Sequence, residues 1–200
     1  MVLPAKPVRP RNAAATRAAI LLSARHQFAT QSYENVGVRE IAGDAGVDPA
    51  LVNRYFGGKE ALFREVLRGD KKDILDGLSA ADLPARLASL LDEDPCGGHD
   101  MAEKVDRMLI ILHSASSPTA SEIVRGSMNA DMLEPIAALL DGDDARIRAS
   151  MTVAVLMGTA VMRTVMAVEP MCTSDPDVVR AKITDLFAAA VAPSSDGRTD

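Results

Sequence analysis

The chain has no tryptophan, two tyrosines and four phenylalanines among its 200 residues. A core of paired aromatic and β-branched residues, the usual filling of a sheet, is therefore not available. The interior has to come from Ala, Leu, Val, Ile and ten Met, a mixture that suits helices. Two cysteines, Cys96 and Cys172, exclude a disulfide framework. The opening MVLPAKPVRP has three prolines and lacks the apolar run of a secretory signal, so a reducing, cytoplasmic setting is expected. The longest nearly uncharged apolar stretch, 149–162, falls short of the roughly 20 residues of a membrane span and reads as a buried helix. No membrane partner is expected.

Catalytic equipment is equally sparse. Only His26, His99 and His113 are available as neutral-pH acid/base groups, and none lies in a nucleophile or metal motif. Cys96 and His99 have a metal-like spacing, but two ligands do not make a zinc site. There is no Gly-rich phosphate loop. Enzyme readings fall away, and neither a metal nor a cofactor is expected.

What remains is an ordinary globular composition, 48% hydrophobic and 25% charged, that folds rather than stays disordered. Its net charge of −6 is unevenly spread. Residues 1–70 hold ten Lys/Arg against seven Asp/Glu, a net of +3, and the other 130 hold 12 against 21, a net of −9. Residues 1–33 contain Lys6, Arg9, Arg11, Arg17 and Arg25 and no acid. Such asymmetry points to nucleic acid, although a solvated basic arm has the same composition.

Residues 1–12 read as a basic flexible arm and 194–200 as a polar tail. Between them, apolar residues at helical spacing and breaks at Gly, Pro and Asp clusters predict nine helices. These begin at Ala13, Val38, Pro49 and Lys59, and continue over 82–92, 99–116, 119–140, 145–168 and 176–191. No segment alternates as a strand does. The fold class is all-α, with a head at 13–57 and a larger helical domain at 58–193.

The most informative stretch is 38–56. Gly46 suits the left-handed residue that ends a helix, and Asp48-Pro49 supplies an N-cap acceptor and a preset first helical residue. Ile41, Ala45, Val47 and Val52 would bury the junction, and the small Ala42 lets the second helix cross closely. This is a helix-turn-helix pattern, whose second helix is offered to the major groove. Asn53 suits an adenine edge and Arg54 a guanine edge. Val38, Arg39, Asp48, Pro49 and Ala50 sit at the two helix starts that face DNA, and Tyr55 reaches toward phosphate. Gly37 stands at the first N-cap with Glu40 three residues on, leaving backbone N–H groups for a phosphate. Lys59 adds a point charge and Arg11 belongs to the arm. Structural αα-hairpins share the Gly turn. Tyr55 and Phe56 also read as core aromatics, and Asn53 and Arg54 as solvated surface.

The run through Phe28, Ser32-Tyr33, Val38-Arg39-Glu40-Ile41-Ala42, Ala45-Gly46-Val47-Asp48-Pro49 and Arg54-Tyr55-Phe56-Gly57-Gly58-Lys59-Glu60-Ala61-Leu62-Phe63 resembles the DNA-binding domain of TetR-family regulators. The resemblance implies a homodimeric repressor. Its first three helices would bind a pseudo-palindromic operator, and the later ones would sense a small-molecule effector and dimerise. Three positions depart from the family pattern: Ser32 replaces a usual Gly, Gly37 a usual Thr or Ser, and Asn53 stands where many members carry Tyr, so the family's operator preference does not carry over.

Residues 145–168 are apolar nearly all round, with Val153, Leu156, Ala160 and Ala167 on one side and Met151, Val155, Met162 and Met166 on another. Such a helix needs cover on every side. Together with Val179, Ile183, Leu186, Phe187 and Ala190 of the last helix it would form a four-helix dimer interface. A monomeric bundle with a thick core is the plainer reading. Met108, Met128, Met132, Met162 and Met166 are candidates to line an adaptable, largely apolar effector cavity, with His113 and Arg163 orienting the ligand. They equally suit an ordinary core. A helix over 59–78, about 30 Å long, would connect head and sensor. An all-helical binding or interaction protein without operator binding is the alternative function.

Overall fold

The structure is a computed structural model that describes residues 13–68, 75–92, 99–114 and 116–193. The basic arm with Arg11, the polar tail and Cys96 lie outside them. The described chain is helical throughout, with no strand among those residues. Its segments are α1 (Ala13–Thr30), α2 (Val38–Asp44), α3 (Pro49–Phe56), α4 (Lys59–Arg68), α5 (Leu83–Asp92), α6 (His99–Ser114), α7 (Pro118–Met128), α8 (Glu134–Ala137), α9 (Ala145–Ala160), α10 (Glu169–Thr173) and α11 (Pro176–Val191). A π-helical turn at Asn129–Leu133 joins α7 to α8, and a second at Val161–Val165 extends α9.

Two differences from the expected nine helices have physical causes. Glu169-Pro170 does not merely stop a helix. Pro lies in the first turn of α10, where its missing N–H costs nothing. The expected long connecting helix is also cut short. α4 is described as far as Arg68, and the chain at Leu75–Gly77 forms a turn, with Gly77 at φ 70°, so the helix does not reach residue 78. The intervening 69–74 lie outside the described residues.

The buried residues form two cores. The first joins α1 to α4 with α6 and α7: Ile20, Phe28, Ile41, Val52 and Phe63 pack with Ile110, Ala120 and Ile123. Five of the six aromatic residues fall in the first 63 positions. Of these, Phe28, Tyr33 and Phe63 meet one another at centroid distances of 5.9, 4.8 and 4.9 Å. The second core joins α5, α8, α9 and α11 through Leu83, Leu87, Ile136, Ala149, Leu156, Ile183 and Phe187. The head is thus not a separate globule ending near residue 57. Its core continues into α6 and α7, because α1 packs along α6 and α4 against α7.

The side expected to be buried on α9 is buried at Val153, Leu156 and Ala160. The other side is open: Ile147 is 63% exposed and Met151 57%. By length and composition 145–165 reaches what a membrane crossing needs, longer than the nearly uncharged 149–162 because it takes in the flanking arginines. Its inner face nevertheless lies in the second core, and it carries Arg146, Arg148 and Arg163.

Arg148 closes that core. Its guanidinium is buried, with Nε donating to Asp144 Oδ1 at 2.7 Å, Nη1 to the Val191 carbonyl at 2.7 Å and Nη2 to the Asp141 carbonyl. One side chain therefore ties the start of α9 to the preceding loop and to the end of α11. Replacing it removes the donor from the Val191 and Asp141 carbonyls and the ion pair from Asp144, so Arg148→Ala is expected to cost roughly 3 kcal/mol. Urea unfolding of the two proteins side by side measures this, and a loss within error of zero would contradict the assignment.

Candidate nucleic-acid interface and effector cavities

α2 and α3 meet as the sequence pattern requires. The Ala45 N–H donates to the Ile41 carbonyl at 3.0 Å and the Val47 N–H to the Ala42 carbonyl at 2.9 Å. Gly46 between them has φ 64°, a conformation that favours glycine. Asp48 Oδ1 then accepts the Ala50 N–H at 2.8 Å and caps α3. Ala42 and Val52 are fully buried at the crossing. From α1, Ser23 Oγ donates to the Ile41 carbonyl at 3.0 Å, and Gln27 Nε2 donates to Asp44. These bonds fix the pair against the first helix.

The result is a short helix with one face in the core and one in water. Asp48, Pro49, Ala50, Asn53 and Arg54 are all exposed, as is Arg39 on α2, while Val38 and Tyr55 are half-buried. Tyr55 and Phe56 pack on the first core. Arg17 Cζ lies 4.9 Å from the Phe56 ring and its Nη2 bonds Glu65 at 2.8 Å, bracing α1 against α3 and α4.

Two sequence-level assignments change. The N-cap of α2 carries a carboxylate. Glu40 Oε2 accepts the Gly37 N–H at 2.7 Å, and a Cβ on residue 37 would stand 2.6 Å from that oxygen. Gly37 therefore makes room for the Glu40 carboxylate, which takes the N–H of the N-cap residue itself and puts a negative charge beside the helix start. Lys59, expected as a free charge, is half-buried, with Nζ 4.3 Å from the Tyr33 centroid and 3.5 Å from the Glu34 carbonyl. Burial lowers its pKa, opposed by the carboxylates of Glu34 and Glu40.

Two cavities lie where the two cores face each other. A groove of about 610 Å³ runs between α6, α7 and α9, with Ser114, Ser121, Arg125, Val153 and Met157 on its walls. A second cavity, of about 350 Å³, lies between α4, α5, α6, α7 and α8 and is lined by Leu87, Leu90, Arg107, Met132 and Ile136, among others. Ile111, Val124 and Met128 line both and so form the partition between them.

Of the proposed ligand residues, Met128 and Met132 line cavities. Met108, half-buried on α6, lines neither of these two. His113 is exposed at the end of α6, and Met162 and Met166 are 41% and 63% exposed. Met162 continues the exposed strip of Ile147, Met151, Ala154 and Gly158 at ordinary helical spacing, and Met166 follows the π-turn at Val161–Val165. Arg163 is buried, but its Nη1 donates to the Leu91 carbonyl at 2.6 Å, at the negative end of α5, and not to a cavity. Arg107 and Arg125 went unnoticed in the sequence because nothing in their spacing separates a cavity arginine from a surface one.

Family comparison agrees with this geometry over most of the chain. The family described as "Bacterial regulatory proteins, tetR family" matches residues 20–66. The one described as "Tetracyclin repressor-like, C-terminal domain" matches 96–191. This chain belongs to the TetR family of transcription regulators. The family is one of DNA-binding regulators, not enzymes, and the chain is a ligand-responsive transcriptional regulator. A TetR-family regulator from Streptomyces coelicolor A3 is 30% identical, over 93% of this chain and 99% of its own, at a TM-score of 0.49. NalD of Pseudomonas aeruginosa, the secondary repressor of the MexAB-OprM multidrug efflux pump, is 18% identical, over 92% and 100%, at 0.68. SmeT, solved as a triclosan complex, is 20% identical, over 90% and 93%, at 0.64. No curated protein matches by sequence.

In this TetR-family chain one polar link joins the head to a cavity wall. Ser117, buried at the start of α7, accepts the Ala120 N–H at 3.0 Å and donates its hydroxyl to the Glu34 carboxylate. Ser117-Pro118 carries a helix-start signature, which the sequence reading took only as an end of α6. The Ser117 hydroxyl lowers the Glu34 pKa, its own backbone N–H and Lys59 acting in the same direction. A lowered folded-state pKa contributes stability above the ordinary carboxylate range and loses it as pH falls through the lowered value. The wild type is therefore expected to out-melt Glu34→Gln at about pH 7 and to converge on it below about pH 4. Thermal melts across that range test the link, and a gap that does not depend on pH would refute it.

Proposed function

We propose that this protein is a cytoplasmic homodimeric repressor that holds a pseudo-palindromic operator and releases it when a largely apolar small molecule enters a cavity between its two cores. The observation that carries the operator reading is the outer face of α3. Pro49, Ala50, Asn53 and Arg54 stand in water on a helix whose opposite side, at Val52, is fully buried. That is the disposition a recognition helix needs, with its first turns nearest the base edges. Arg39 and Tyr55 flank it as phosphate contacts, and Asp48 presents the helix start.

Charge arithmetic assigns a further role to the arm. Residues 13–70 hold seven Lys/Arg and seven Asp/Glu, so the +3 of the first 70 comes entirely from Lys6, Arg9 and Arg11. Long-range attraction to the duplex then rests on those three. Removing 1–12 is expected to weaken operator binding and flatten its salt dependence by up to about three in the log–log slope. Arg54→Ala is expected to relax base preference, and Arg39→Ala to weaken binding on all sequences alike. Gel shifts on DNA selected from a random pool read all three. Failure to retain any duplex at low salt would leave only the alternative of a helical binding protein. Point variants suit this test, because deleting 1–57 would remove half of the first core.

The dimer reading rests on α9 and α11. Ile147, Met151, Ala154, Gly158 and Met162 fall on one exposed strip of α9, and Val178 and Leu186 are 56% and 53% exposed on the packed neighbour α11. A two-fold axis through such a strip makes it self-complementary. NalD and SmeT are similar in fold, and SmeT takes triclosan, a mostly apolar molecule. Met151→Glu is expected to yield a monomer by sedimentation velocity and to lose operator binding while keeping its helical content. A dimer of unchanged mass would place the interface elsewhere.

The release step follows from where the cavities lie. α6 and α7 belong to the head's core, whereas α5, α8, α9 and α11 form the core beneath the dimer strip. A ligand wedged between them moves the heads relative to the dimer axis. Successive major grooves present themselves about 34–36 Å apart, so a small tilt takes two heads out of register.

A further inference from the structure

The cavity between α4, α5, α6, α7 and α8 is mostly apolar, walled by Leu87, Leu90, Val124, Met128, Met132 and Ile136. Four charged residues also line it: Arg68, Asp76, Arg107 and Asp131. They are not equivalent. Arg68 at the last described position of α4 and Asp76 in the turn at Leu75–Gly77 are exposed, whereas Arg107 is half-buried on α6. Asp131 has an interaction partner of its own. Arg107 has no hydrogen-bond or ion-pair partner among the described residues. Two guanidinium groups and two carboxylates thus line the cavity, with Arg107 and Asp131 both half-buried, and the Arg107 guanidinium is hydrogen-bonded or ion-paired to neither carboxylate.

A guanidinium on an apolar wall loses hydration without gaining a counter-charge, and a bidentate anion is the ligand that relieves this best. We propose that the cavity binds an amphipathic organic anion, its carboxylate or equivalent headgroup on Arg107 and its apolar body along Leu87, Leu90, Met128, Met132 and Ile136. This rests on the reading of the cavity as the effector site and adds the chemical class of the effector. The volume of about 350 Å³ sits at the small end of the roughly 300–1,000 Å³ that small-molecule pockets span, which favours a single chain or ring system over a fused polycycle.

Met128 gives the anion a route to the head. It touches both cores and both cavities, so a body lying against it presses on the partition that α7 contributes. α7 begins at Ser117, which holds Glu34 of the head. The headgroup thereby decides which molecules enter, and the apolar body does the wedging.

The test uses three probes with the same apolar body and different heads: decanoate, decan-1-ol and decyltrimethylammonium. Isothermal titration calorimetry on the full-length chain is expected to show decanoate binding about tenfold or more tighter than decan-1-ol. Arg107→Met and Arg107→Gln are each expected to bring decanoate down to the alcohol's affinity while leaving the alcohol unchanged. Arg107→Lys, which keeps the charge, is expected to retain part of the preference. Thermal melts establish that each variant is folded. The inference is overturned if the alcohol binds as tightly as the acid, if the cationic probe binds best, if none of the three binds, or if loss of the Arg107 charge leaves decanoate unaffected. Gel shifts on the same preparations separate the two levels. Operator retained without decanoate selectivity refutes the anion alone, whereas no operator retention refutes the regulator reading and leaves the calorimetry to stand by itself.

Discussion

The arrangement depends on α7 packing into one hydrophobic core while its last residue touches the other. Ala120, Ile123 and Val124 are buried with the head's Phe28, Phe63 and Val66, and Met128 lies against both clusters. Burial of that apolar surface, at about 25 cal/mol per Å², is the dominant attraction available to either half. Because the halves bury separate sets of side chains, each keeps its own shape while the contact between them stays adjustable. Cavities form at such a seam and not inside either cluster, where close packing leaves no room. Methionine at the seam is a physical fit, since an unbranched thioether repacks at little cost.

Charged groups in the second half are used structurally. Arg148 and Arg163 are both buried, and each points its guanidinium at the carbonyl end of a helix: Arg148 at α11 and Arg163 at α5. A chain with an acidic surplus spends two arginines inside, which sharpens the contrast with the outward face of α3. On the head, Glu40 and Lys59 are likewise drawn into local bonds. What remains for long-range attraction to DNA is concentrated near the N-terminus.

Much of this was legible in the sequence. The helix-turn-helix pair, its Gly46 turn, the Asp48 cap and the bounds of the last helix follow from local chemistry, which acts within a few residues and so leaves its mark in the letters. The two faces of α9 were readable for the same reason. What escaped depended on distant partners. Glu34 and Ser117 are far apart in sequence, and nothing local announces their meeting. Met162 and Met166 face outward, and the letters did not say so because a helix apolar on nearly every side does not mark which face the protomer buries. The tenth helix was missed because Glu169-Pro170 can close one helix and open the next, and only packing shows that both happen.

The chain order of the two cores also bears on synthesis. Everything the first core needs has been translated by Met128, whereas the second cannot close until Val191 supplies the carbonyl that Arg148 holds. On the ribosome, vectorial folding therefore completes the DNA-facing portion while the second core is still open. Among the described helices, α11 is the one whose arrival closes it.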